Sequence, residues 1–262
     1  MTDRTLLFCV PYAGGSARVF RGWQEWFADD AEVVPLELAG RGTRSAEPVA
    51  PSVPAAATDL ARRVRERAAG RPYVLFGHSM GSLIAYEMAA INEDSAGNGP
   101  RLVVVSGRNS PHKRAAWGQD ALGLTDVELF EALQAVGGVP ARLSPSIGAM
   151  LFMPLIRADL RNTISYDPGS PPRRISAPLL VVHGREDPLV GPDAGAGWAR
   201  CTHGACRLLR HDGNHFSIFE RVGELAATLR PFLAMGEVQA VLNGSDDRRT
   251  AGAAPHRRTT RS

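Results

Sequence analysis

The sequence predicts an α/β fold, a mostly parallel sheet with helices on both faces and an inserted helical segment. Three observations lead there. Short β-rich apolar runs alternate with amphipathic helical patterns along most of the 262 residues, and such alternation is satisfied by crossover connections that lay helices on both sides of a parallel sheet. The alternation lapses between 120 and 166, where two helical patterns follow one another without a strand. Finally, 44% hydrophobic residues in a chain of this length can fill one large core.

Strands are expected at 5–10, 32–38, 73–76, 102–105, 179–183 and 206–210, each an apolar run bounded by turn residues. Val19, Phe20, Trp23, Trp26 and Phe27 carry the first helical pattern. The second, 55–69, turns Leu60 and Val64 inward and Arg62, Arg63, Arg65, Glu66 and Arg67 outward. A third covers 83–90, and a last one 216–232. Within the irregular stretch, helices are expected over 124–136 and 147–164, separated by the Gly137-Gly138-Val139-Pro140 break. This reads as a helical lid, about 120–166, inserted into one domain spanning 1–235. From Gly236 onward the chain is rich in Gly, Ala, Thr, Asp and Arg, so 236–262 reads as a disordered tail.

Charge excludes more than it suggests. The net charge of +3 is concentrated in that tail, where five Arg face Glu237, Asp246 and Asp247. The folded part is near neutral, and no nucleic-acid partner is expected. The N-terminus has no basic segment followed by an apolar one, and no apolar run is long enough to span a bilayer. A cytoplasmic protein free of the membrane is the expectation. Cys9, Cys201 and Cys206 share no metal-ligand spacing and read as structural thiols.

The chemistry starts at Gly77-His78-Ser79-Met80-Gly81, a G-x-S-x-G sequence. It follows the strand run Tyr73-Val74-Leu75-Phe76 and precedes the apolar-faced helix that begins at Ser82-Leu83-Ile84. This is the context of the nucleophile elbow of an α/β-hydrolase: a sharp strand-to-helix turn exposes the serine, and the glycines remove side chains that would collide. A hydroxyl needs a base to take its proton, and the base needs a carboxylate to fix its tautomer. His215 sits on the loop after the last strand and is the expected base, with His211 and His183 as rivals at strand ends. Asp187, held in an extended loop by Pro188, is the expected acid, with Glu186 and Asp193 as alternatives; Asp193 also suits a helix cap. Two backbone amides should receive the oxyanion. Met80 offers one at a helix start, and Ala13, in the Gly-rich loop Pro11-Tyr12-Ala13-Gly14-Gly15-Ser16, offers the other.

Together with Gly40-Arg41-Gly42, Leu155-Ile156-Arg157-Ala158-Asp159, Gly184-Arg185-Glu186-Asp187-Pro188 and Gly213-Asn214-His215-Phe216, these motifs make the chain resemble the type II thioesterases of polyketide and nonribosomal peptide synthases. The resemblance runs from about Leu6 to Leu233. It implies hydrolysis of acyl groups, often aberrant ones, from the phosphopantetheine thiol of an acyl or peptidyl carrier domain. It carries the nucleophile onto Ser79, the acid onto Asp187, the base onto His215 and the oxyanion amides onto Met80 and Ala13. It implies no cofactor beyond the partner's phosphopantetheine, and usually a monomer. Ala39 departs from the Pro that often precedes Gly-Arg-Gly in the family.

Two groups of residues carry open readings. Arg41 either holds a substrate or phosphopantetheine group or is a solvated turn residue. Met150 and Phe152, in the run Met150-Leu151-Phe152-Met153-Pro154-Leu155-Ile156, either line an acyl channel or pack the lid on the core. The same triad would also serve a carboxylesterase or lipase acting on free esters, and a carrier-binding protein with little catalysis is the reading outside enzymes.

Overall fold

The computed structural model describes residues 4–95, 99–113, 116–139 and 142–233, with 116–119 described by their backbone alone. The expected tail, 236–262, lies outside the described residues. Six strands pair throughout in parallel in the order β2-β1-β3-β4-β5-β6: β1 Thr5–Val10, β2 Ala31–Pro35, β3 Tyr73–His78, β4 Leu102–Ser106, β5 Leu179–Gly184 and β6 Cys206–His211. β1, β3, β4 and β5 are buried at every residue, as central strands covered on both sides must be. The protein has the α/β-hydrolase fold.

Helices α1 (Trp23–Phe27), α2 (Val53–Ala68), α3 (Met80–Asp94), α7 (Ala194–Ala199) and α8 (Val222–Leu233) cover the sheet. Leu60 and Val64 of α2 and Leu83 and Met88 of α3 pack with Phe8, Leu75 and Val103 on one face. Trp23 and Phe27 of α1 and Leu225 and Leu229 of α8 pack with Leu7, Phe76 and Val104 on the other. Each such Leu or Phe, taken wholly out of water, contributes roughly 1.5–3 kcal/mol. Ser52 starts α2 by accepting the Ala55 N–H at 3.2 Å, and the helix stops where Ala69 turns left-handed at φ 48°.

Three differences from the sequence reading have plain causes. β2 ends at Pro35 instead of running to 38; Leu36 and Leu38 are buried all the same, as core-packed loop residues, so their apolarity mimicked a strand. The first helical pattern is split by Gly22, at φ 82°, into a 3-10 turn, Ala17–Phe20, and α1. The last pattern likewise divides into the 3-10 turn Ser217–Phe219 and α8.

Between β4 and β5 lie α4 (Ala116–Gly123), α5 (Asp126–Ala135) and α6 (Pro145–Ile164). α5 opens with a capping box in which Thr125 and Glu128 each bind the other's backbone N–H. Leu129, Phe130, Ala149, Met153, Ile156 and Leu160 form a core of their own between these helices. Pro154 inside α6 is exposed, so the carbonyl it leaves unpaired can be hydrated.

The order of strands positions everything that follows. The chain leaves β1 toward β2 on one side and returns to β3 on the other, so the loops after β1 and β3 diverge above adjacent strands. Such a switch point opens a crevice at the carboxyl ends of the strands. Here the two loops are those carrying Ala13 and Ser79.

Candidate active site

Ser79 lies in the turn between β3 and α3 at φ 55° and ψ −116°, a backbone conformation that L-residues adopt only under strain. Its surroundings impose it. A Cβ on Gly77 would stand 2.1 Å from the Gly81 carbonyl oxygen, and one on Gly81 would stand 2.4 Å from that of Val10, so both glycines are required by close backbone approach. The Ser79 N–H donates to the Ser106 carbonyl at 2.8 Å. Ser82 Oγ lies 2.9 Å from the carbonyl oxygens of both Gly77 and Ser106 and accepts the Ser106 N–H at 3.0 Å, bolting the elbow to β4. The sequence reading missed this role of Ser82 and Ser106, because a buried serine after an elbow looks like any helix-start serine.

His215 and Asp187 come from the loops after β6 and β5. His215 Nδ1 is 2.8 Å from Asp187 Oδ2, and Asp187 Oδ1 accepts the Leu189 N–H at 2.9 Å. Both side chains are buried. An ionised carboxylate only accepts, so the imidazole Nδ1 carries the hydrogen and Nε2 is left as the basic nitrogen. The His215 ring lies 4.8 Å from that of His78, the residue before Ser79. Its Cε1 also stands 3.0 Å from where a Cβ on Gly107 would be, directly after the Ser106 carbonyl that holds Ser79. The fold thus brings Ser79, His215 and Asp187 to one end of β3, β4 and β5.

The rival residues are placed elsewhere. His183 is buried with Nδ1 3.0 Å from the Gly184 carbonyl oxygen. His211 Nδ1 faces the Asp212 carbonyl and Ser217 Oγ. The Glu186 carboxylate receives the Gly213 N–H. Asp193 occupies the N-cap position of α7 but its side chain makes no capping bond; its carbonyl accepts the Gly197 N–H at 2.9 Å instead.

His78 is wholly buried, with Nδ1 3.0 Å from Ser106 Oγ. Burial, reinforced by His215 and His211, holds its pKa well below the ordinary imidazole value of 6.5, so it is neutral at pH 7. Tyr12 spans the crevice, with its ring 5.9 Å from His78 and 4.9 Å from Phe216. It thereby links the loop after β1 to the loop of His215. Burial pushes the Cys9 thiol far up, Cys201 to about 12 and Cys206 to about 11, as suits structural thiols.

The two amides expected to receive an oxyanion, those of Met80 and Ala13, are both without a partner among the described residues. Met80 N is the first of α3 and has no preceding-turn carbonyl to bind. In the loop after β1, Gly14 N–H goes to Asp159 Oδ2 at 2.7 Å and Gly15 N–H to the Tyr12 carbonyl at 2.9 Å. Ala13 N–H takes no partner among the described residues.

Arg41 departs from one of its two expected roles. It is 6% exposed, which rules out a solvated turn. Nη1 and Nη2 bind Asp159 Oδ2 and Oδ1 at 2.5 and 2.9 Å, and Nη1 also donates to the Gly15 carbonyl at 3.2 Å. Both Nη1 hydrogens are thus spent on Asp159 and the Gly15 carbonyl, so the head group is committed first to α6 and the loop. Nothing in the sequence marks Asp159, 118 residues away, as its partner.

The lid run divides by face. Met153 and Ile156 are the residues that pack inward. Met150 is 72% exposed, so it does not pack the lid on the core. Phe152, 36% exposed, shares the stripe of Gly148 and Ile156 at helical spacing. Among the described residues no group of three or more His, Cys, Asp or Glu could hold a metal ion, and no helix is long and apolar enough to cross a membrane.

Comparison with known proteins covers the whole described domain. A family model described as a thioesterase domain matches residues 5–233. A probable cadicidin biosynthesis thioesterase of Streptomyces griseus is 33% identical over 234 residues, 87% of this chain; the chain spans 63% of that relative's length. Among solved structures, the RedJ thioesterase of the prodiginine pathway of Streptomyces coelicolor superposes with a TM-score of 0.78 at 33% identity, covering 88% of this chain and 86% of RedJ. The type II thioesterase BorB of the borrelidin biosynthetic cluster superposes with a TM-score of 0.73 at 28% identity, over 89% of this chain and 94% of BorB.

Proposed function

This chain belongs to the thioesterase domain family, and we propose that it is a serine hydrolase that frees acyl groups, often aberrant ones, from the phosphopantetheine thiol of acyl or peptidyl carrier domains. That is the editing work of a type II thioesterase beside a polyketide or nonribosomal peptide synthase. The observation that carries the reading is the buried His215–Asp187 pair, with Nδ1 and Oδ2 2.8 Å apart and the His215 ring 4.8 Å from that of His78 beside the strained Ser79, in a chain matched by the thioesterase domain from 5 to 233.

In this mechanism Ser79 Oγ attacks the thioester carbonyl carbon while His215 Nε2 takes its proton. Asp187 holds the Nδ1–H and stabilises the imidazolium. The carbonyl oxygen, now anionic, is received by the N–H groups of Met80 and Ala13; one such donor is typically worth about 10²–10³ in kcat. Collapse breaks the C–S bond, and the pantetheine thiolate leaves with the proton from His215. His215 then draws a proton from water, whose oxygen attacks the acyl-Ser79 ester. The second collapse returns the proton to Ser79 and releases the acid.

In this reading α4, α5 and α6 act as the lid, about 120–166, that admits the pantetheine arm and then limits water. The protein would work in the cytoplasm as a monomer, with carrier domains as partners and no resident cofactor. The test compares an acyl-carrier thioester with a p-nitrophenyl ester of the same acyl group, alongside mass spectrometry of the chain after a fluorophosphonate probe. Labelling at Ser79 with higher kcat/KM on the carrier substrate supports the proposal. Preference for the free ester would make it a carboxylesterase, and an unlabelled Ser79 would make it a binding protein.

A further inference from the structure

One carboxylate joins three segments that are remote in sequence. Asp159 on α6 accepts the Gly14 N–H at 2.7 Å and clasps Arg41 with both oxygens, and Arg41 in turn donates to the Gly15 carbonyl. Asp159 is 2% exposed. α6 also bears directly on the same loop: Gly14 has φ +77°, and a Cβ there would stand 2.3 Å from Ile156 Cγ1.

The consequence falls on Ala13. A peptide unit is planar, so the Tyr12 carbonyl and the Ala13 N–H point in opposite directions along one plane. The Gly15 N–H holds that carbonyl at 2.9 Å, which ties the Gly14–Gly15 unit to it; Asp159 holds the Ala13–Gly14 unit by the Gly14 N–H, and Arg41 holds the Gly15–Ser16 unit by the Gly15 C=O. The peptide units on both sides of Ala13 are therefore fixed, and the Ala13 N–H between them takes no partner among the described residues. The aim of that donor depends on α6.

As a source of stability this pair is poorly chosen. Burying two charges costs more than attraction usually returns, and well-packed apolar replacements are often neutral or stabilising. Arg41 Nε is also buried without a partner among the described residues, a further cost. The directional value of the contact is what remains.

We propose that Arg41 and Asp159 are positioning residues: they seat α6 on the loop after β1 and so aim the Ala13 N–H at the oxyanion, making turnover depend on the placement of the lid helix. The inference builds on the thioesterase reading for its natural substrate, but its readout does not need one, because phosphonylation of Ser79 also develops a negative oxygen at the same amides.

The test uses the full chain with Asp159→Asn and with the double replacement Arg41→Met, Asp159→Leu. Three quantities are followed: the fluorophosphonate inactivation rate, kcat and KM on an acyl thioester per labelled site, and Tm. The expected result for Asp159→Asn is a fall of about 10–100-fold in both the inactivation rate and kcat, with KM within about threefold, since part of one oxyanion donor is lost. The double variant should recover the Tm of the parent and stay slow by both rates. The proposal is overturned if the double variant reaches parental Tm with parental rates, or if the rates of Asp159→Asn per labelled site are unchanged. Should the double variant not fold, Asp159→Asn decides alone. A parent chain that is phosphonylated but hydrolyses no thioester would sink the thioesterase reading, and the inactivation rates would still judge the clamp.

Discussion

Glu186 and Asp187 are consecutive, and both reach the loop that carries His215, at different atoms. Glu186 takes the backbone N–H of Gly213, and Asp187 takes the imidazole Nδ1 at 2.8 Å. One carboxylate shapes the loop and the other orients the base, so replacing them should separate loop geometry from chemistry.

Asp187→Asn should lower kcat by about 10³–10⁴, because an amide can stabilise the wrong imidazole tautomer and cannot stabilise the imidazolium. Glu186→Gln keeps an acceptor for Gly213 and should cost less than about tenfold. Steady-state kinetics on one thioester substrate tests both; equal losses would mean that the two carboxylates share the work on His215.

Ser79→Gly should abolish turnover and make the protein more stable. Its φ of 55° and ψ of −116° cost a serine about 1–3 kcal/mol, and glycine escapes most of that. Glycine's extra freedom in the unfolded chain takes back about 0.4–1 kcal/mol. A net gain of about 1 kcal/mol, or roughly 2–4 °C in Tm for a domain of this size, follows. A drop in Tm would show that the turn is not strained.

How far the sequence disclosed the molecule depended on how local each signal is. β1, β3, β4 and β5 are legible because both their faces are buried, so each is an unbroken apolar run. The end of β2 is not, since Leu36 and Leu38 are apolar for the sake of core contacts made from a loop. α4 escaped notice because it is short and holds Gly118 and ends on Gly123. Ser79 announces itself through neighbours within a few residues, and Asp187 and His215 through their place after successive strands. The tie from Asp159 to Arg41 and Gly14 has no local signature, as it exists only once α6 lies on the loop.

Stability should fall as pH drops below about 6.5, and His78 should account for part of the fall. Burial first, then His215 and His211, depress its folded pKa below the ordinary 6.5. In the window between the two values the unfolded chain binds a proton that the folded one refuses, so unfolding gains up to about 1.4 kcal/mol per pH unit. Above 6.5 both states are neutral and the effect vanishes. Denaturant midpoints at pH 7.5, 6.5 and 5.5 should therefore descend less steeply for His78→Asn, which keeps a hydrogen-bonding group near Ser106 but does not titrate. Parallel profiles would assign the pH dependence to other groups.

Selectivity for the acyl chain should respond to Phe152 and ignore Met150. The two residues are close in sequence on α6, but Phe152 lies one turn from Ile156, which rests over Gly14, whereas Met150 is 72% exposed on the opposite side. In the proposed function an acyl group on Ser79 would leave the crevice past the loop of Gly14, and Phe152 is the apolar side chain of α6 left half-open on that stripe. Removing its ring deletes contact with the chain and widens the exit. Apolar contacts of this kind discriminate by about tenfold for small changes in fit. Phe152→Ala should thus shift the ratio of kcat/KM between long and short acyl thioesters by about tenfold in favour of branched or longer chains. Met150→Ser should leave that ratio alone and alter stability by less than about 0.5 kcal/mol, as a change at an exposed position. If the ratio moves with Met150, or stays fixed in Phe152→Ala, the acyl chain leaves by a route that α6 does not border.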